Sequence, residues 1–142
     1  MYTLLLFTHF VGLALGVGTG FANLTLGIAT RSLPPEERVK FMLRAAALGK
    51  NGSIGLLLLL LSGVGMVLMR GLTATFAWGG PAFHAKLTLV VIFIGLFGYL
   101  QVLVARAKRE GGGPNMARIP KVAGPMLLIG IAIMASAVLA FH

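Results

Sequence analysis

Apolar residues run almost unbroken through four stretches of the chain, Tyr2–Thr30, Gly52–Met69, Ala82–Ala105 and Val122–Phe141, and charged residues collect in the gaps between them. A helix crosses the hydrocarbon of a bilayer in roughly 20 mostly apolar residues, so each stretch predicts one membrane-spanning helix. The second is the shortest, yet its core "IGLLLLLLSGVGMVLM" carries no charge. The four use most of the 142 residues. They predict an all-α integral-membrane protein, a single up-down four-helix bundle with no soluble domain. The first stretch is expected to stay as a span: it lacks a basic leader, and its apolar run exceeds the ~7–15 residues of a signal-peptide core.

The gaps carry their own local signals. In "RSLPPEERVKFMLRAAALGKN" the Pro34–Pro35 pair predicts a turn, with Pro35 suited to a first helical turn and Glu36 and Glu37 favourable at a helix N-terminus. Val39, Met42, Leu43, Ala46 and Ala47 recur at helical spacing, so an amphipathic helix is expected to lead into the second span. "GLTATFAWGGP" reads as a loop with Trp78 at an interface, and Gly79–Gly80–Pro81 reads as its end. "EGGGPN" reads as a flexible turn, and Pro125 as a residue in the first turn of the last span.

Composition agrees with the pattern: 58% of residues are hydrophobic and 11% charged, which no soluble globule of ordinary makeup shows. With no cysteine, disulfides and thiolate metal sites are excluded. The net charge of +9 raises the question of nucleic acid, and its distribution answers it. Arg31, Arg38, Lys40, Arg44 and Lys50 precede the second span, and Arg106, Lys108, Arg109, Arg118 and Lys121 precede the fourth. The other side holds Arg70 and Lys86 alone. That asymmetry orients a membrane protein with both basic loops cytoplasmic and both termini outside, in a bacterial-type inner (plasma) membrane. The expected partners are membrane lipids, including anionic ones, together with a homo-oligomer or a larger membrane complex. Nucleic acid is not expected.

Candidate chemistry gathers at "THFVGLALGVGTGFANLTLG". A dinucleotide-binding loop fails, because the third glycine position falls on Phe21 or Asn23 and no strand precedes it. On a helix, His9, Gly12, Gly16, Gly20, Asn23 and Gly27 form one stripe. Two readings stay open for it. Small residues four apart let a neighbouring helix approach, with His9 making a structural hydrogen bond. Alternatively a flat haem lies on Gly12 and Gly16 with His9 as its ligand, since an intramembrane histidine is a functional candidate.

Depth groups further residues with His9. It lies ~10 Å below the outer start of its helix at 1.5 Å per residue. His84 and Lys86 open the third span, and Arg70 and His142 close the second and fourth on the same side. No acidic residue lies within a span, which disfavours a carboxylate proton relay and suits an anionic ligand such as a haem propionate. Each residue also has a structural reading, as an interfacial histidine or a lysine reaching the headgroups. Phe10, Phe21, Phe83 and Phe93 are candidates to line a pocket. Met66 and Met69 are soft metal ligands in principle, though methionine on an apolar span usually packs.

At "LLLFTHFVG" (His9), "AFHAKL" (His84 and Lys86) and "IPKVAGPMLLIGIAIM" the chain resembles the HemJ-like integral-membrane family, which includes protoporphyrinogen IX oxidases, as a divergent member. Its glycines stand where that family has a tryptophan after the first histidine, and Leu96–Phe97–Gly98 stand where it has another histidine. The resemblance implies a four-helix membrane fold, haem b with His9 on the iron, and a functional Lys86. Taken with the residues, the expected function is a redox role, electron transfer or protoporphyrinogen-oxidase-like oxidation. His9 ligates iron, Gly12 and Gly16 admit the ring, and His84 is a second ligand or supports the first. Lys86, the catalytic candidate, and Arg70 pair with carboxylates. By helical rise His84 lies ~8 Å shallower than His9, which strains a bis-histidine site within one chain. The alternatives are a cofactor-free accessory subunit of a larger membrane complex and a copper-handling protein.

Overall fold

The computed structural model describes residues 1–141, for Phe141 the backbone only. It consists of helices α1 (Tyr2–Ala29), α2 (Pro35–Ala45), α3 (Gly49–Arg70), α4 (Leu72–Arg109) and α5 (Gly113–Phe141), with short 3₁₀ turns at Thr30–Ser32 and Ala46–Leu48 and no strand among the described residues. Four of its helices are long and apolar enough to cross a membrane. The amphipathic helix expected before the second span is present as α2, with Pro35, Glu36 and Glu37 in its first turn.

Two helical hairpins make up the fold. α1 packs along α3, α4 packs along α5, and contact between the two pairs is sparse. Glycine sets the first hairpin. A Cβ on Gly55 would lie 2.6 Å from the Gly16 backbone nitrogen and 2.8 Å from the Gly12 carbonyl oxygen, and one on Gly12 would meet Gly55 and Leu59 backbone at 2.8 and 2.9 Å. Backbone atoms that close cannot move aside singly, so only glycine permits this approach.

Most of what is hidden is small or polar, Gly12, Gly52, Gly55, Ser62, Thr30, Thr75 and Ala107 among it, and the buried large apolar side chains are Phe83, Leu103 and Met126. Large apolar side chains face outward, among them Leu61, Leu68, Val91, Leu128 and Leu139. The accessible surface is 8831 Å², where a soluble monomer of 14.9 kDa has about 7,000 Å². An inside-out distribution of this kind needs a solvent as apolar as leucine, as a bilayer is.

Two expectations are corrected. The supposed loop Gly71–Pro81 is mainly helical over residues 72–79, so α4 is two helical segments joined by a kink at Gly80, the second starting beside Ala82 as expected. Only Gly71 (φ 87°, ψ 139°) and Gly80 (φ 53°, ψ −154°) leave helical geometry there. Gly80 sits in a region essentially closed to other residues, and Pro81 behind it restarts the helix. Similarly α5 begins at Gly113, so Pro120 and Pro125 lie inside it rather than at its start. Each removes one helical hydrogen bond, Pro120 between Arg118 and Lys121 at the basic end. The "EGGGPN" stretch is a tight turn, with Gly111, Gly112 and Gly113 all at positive φ.

Candidate functional site

Three helices meet at a polar cluster in the half of the bundle that carries the N-terminus. His9 projects from α1 toward α3, where its Nδ1 lies 2.9 Å from the hydroxyl of Ser62, a residue 1% exposed. Gly63 packs beside the ring, where a Cβ would lie in ordinary contact with His9 Cε1 at 3.6 Å. From α4, Lys86 is within Coulombic reach of the imidazole.

Hydrogen-bond chemistry settles the tautomer. A serine hydroxyl has one proton, and Ser62 donates it to the Leu58 carbonyl at 2.5 Å. Its oxygen is then an acceptor toward His9, so Nδ1 must be the protonated nitrogen of the neutral ring. Nε2 carries the lone pair. A ring anchored through one N–H with the other nitrogen unprotonated is how metal-ligating histidines are held.

The remaining candidates are placed as follows. Gly12 and Gly16 lie against α3, next to Gly55 and Leu59, so a neighbouring helix packs on that face. His84 is exposed, donates from Nδ1 to the Gly80 carbonyl at 2.9 Å, and stands beside Phe76 with ring centroids 5.2 Å apart. Two residues along a helix separate directions by more than half a turn, so His84 and Lys86 face different ways and His84 is not brought to His9. Arg70 stacks over Trp78, its guanidinium carbon 3.9 Å from the ring centroid. Phe10 and Phe21 are exposed on α1, Phe83 packs edge-on to Phe76, and Phe93 stacks on Phe97. Met66 is half-buried and Met69 exposed. His142 lies outside the described residues.

Ser62 escaped the sequence reading, although a lone hydroxyl after six consecutive leucines was a visible signal. Among the described residues no group of three or more histidines and carboxylates is placed to hold a metal ion. A second polar link joins the hairpins nearer the basic end, where the Gln101 amide donates to Ser53 Oγ at 2.8 Å. No family model, no curated protein and no solved structure matches the chain.

Proposed function

We propose that the chain is a multi-pass membrane protein that binds haem b at His9 and serves a redox role. The observation that carries this reading is the His9 ring itself, anchored through Nδ1 to Ser62 with the lone pair of Nε2 left to bind iron, and Lys86 within Coulombic reach of the imidazole. The residues fit an axial ligand and its supporting hydrogen bond. A ring laid on Gly12 and Gly16 would meet α3, so it is His9 that would hold the iron, through Nε2. Lys86 then pairs with a propionate. Bound haem supplies one-electron chemistry. The chain's own part is to orient the imidazole, hold its proton on Nδ1 and neutralise a carboxylate at membrane depth.

The resemblance of the segments around His9 and around His84–Lys86 to the HemJ-like family supports the same assignment and extends it to porphyrinogen oxidation. The ten cations at one end favour basic loops in the cytoplasm and both termini outside, in a bacterial-type inner membrane.

A second reading has its own observation in favour. The α1 glycines pack on α3 and His9 makes a hydrogen bond, as expected of a cofactor-free accessory subunit within a larger membrane complex. Visible spectra of the purified protein, oxidised and reduced, separate the two. A Soret band in protein made under haem-sufficient conditions, lost in His9→Ala, supports the haem reading. A colourless wild-type protein supports the subunit. Haem without porphyrinogen turnover narrows the role to electron transfer or sensing.

A further inference from the structure

The basic end of the first hairpin carries a surface cleft unrelated to His9. α1 and α3 run antiparallel, with Gly12 and Gly16 against Gly55 and Thr19 against Gly52. In continuation Thr30 Oγ1 lies 3.8 Å from the Met42 sulfur. The apolar run of α1, which ends at Ala29, is therefore level with the middle of α2. In a bilayer spanned by α1, that level would be the boundary between hydrocarbon and headgroups.

α2 turns two different faces there. Met42 points to Thr30, and Val39 to the α4–α5 turn, where a Cβ on Gly112 would meet it at 2.7 Å. The opposite face, with Leu33, makes a cleft of about 280 Å³ lined by Leu33, Glu37, Lys40, Phe41 and Arg44. Lys40 and Arg44 are one turn apart on the same side. Leu33 and Phe41 are 36% and 41% exposed, an unusual use of apolar surface in a helix otherwise rich in charge.

We infer that this cleft binds one acidic phospholipid from the leaflet at the basic end. Lys40 and Arg44 hold the phosphate, as a point charge and a planar fork, and Leu33 and Phe41 pack on the first methylenes of the acyl chains. Glu37 accepts a hydrogen bond from a headgroup hydroxyl. The two cations outweigh the one carboxylate, and Arg31 and Arg38 add to the same field, so an anionic headgroup is favoured over a zwitterionic one. Inorganic phosphate shares the charge but lacks the apolar half, and binds poorly.

Full-length protein in detergent, titrated with phosphatidylglycerol and read by native mass spectrometry, tests the inference. The wild type is expected to retain one phosphatidylglycerol, and Lys40→Gln and Arg44→Gln each to weaken it about fivefold, as loss of one surface cation near anionic lipid implies. Arg38→Gln with Lys108→Gln, which loses as much charge outside the cleft as the double variant Lys40→Gln with Arg44→Gln loses inside it, leaves retention within twofold. Equal losses in the two double variants would show a diffuse field rather than a site and overturn the inference. Equal retention of phosphatidylcholine, or displacement by millimolar inorganic phosphate, would overturn it as well.

Discussion

Ser62 has one proton to give and gives it to Leu58, so it meets His9 as an acceptor and fixes which imidazole nitrogen keeps its lone pair. In water such a bond would be one choice among many. Between helices in a membrane the protonated nitrogen has few other partners, but the unfolded chain in lipid also finds some, and measured intramembrane hydrogen bonds average about 0.6 kcal/mol with a maximum near 1.7. Ser62→Ala is thus expected to destabilise the protein by about 0.6 kcal/mol in a mixed-micelle unfolding titration. In a cycle with His9→Ala most of that loss should vanish, because the histidine is its source. Additive effects would mean that Ser62 acts through packing alone.

At the scale of elements, the α1–α3 seam separates glycines that look alike in the sequence. A methyl on Gly55 must push on the Gly16 and Gly12 backbone, whereas one on Gly18 meets nothing within 4 Å. Gly55→Ala should destabilise by about 1–3 kcal/mol, the usual cost of overpacking. Gly18→Ala should be neutral or stabilise by up to about 1 kcal/mol through helix propensity. The same unfolding titration compares them; similar effects at the two positions would contradict the seam.

The elements also show why part of the fold was legible and part was not. Apolar runs long enough to span announced all four helices, and the Pro–Glu–Glu start announced α2. Whether the stripe from Gly12 to Gly20 met a ring or a helix depended on where Gly55 falls in the partner, a tertiary fact outside local pattern. Gly79–Gly80–Pro81 marked a real break, at Gly80, just before the expected start of the third span; local pattern did not show that residues 72–79 ahead of it are themselves helical. Of the site, neither Ser62 as the partner of His9 nor the exposed position of His84 was legible in local pattern.

For the molecule as a whole, the charge asymmetry makes a topological prediction that the absence of cysteine makes easy to test. Ser32→Cys at the basic end and Thr73→Cys at the other are both exposed positions. A membrane-impermeant maleimide applied to intact cells should label Thr73→Cys and spare Ser32→Cys, and inverted vesicles should reverse the result. Labelling of Ser32→Cys in intact cells would invert the topology.

The central claim concerns His9, and the stoichiometry of haem b to polypeptide tests it most directly. Protein purified from haem-sufficient cells, assayed for haem against chain mass, is compared with His9→Ala and with Ser62→Ala, whose effect on stability is measured separately. The account predicts haem close to one per chain in the wild type, loss in His9→Ala, and weakened retention in Ser62→Ala. A wild-type protein without haem, or His9→Ala with its full complement, would contradict it.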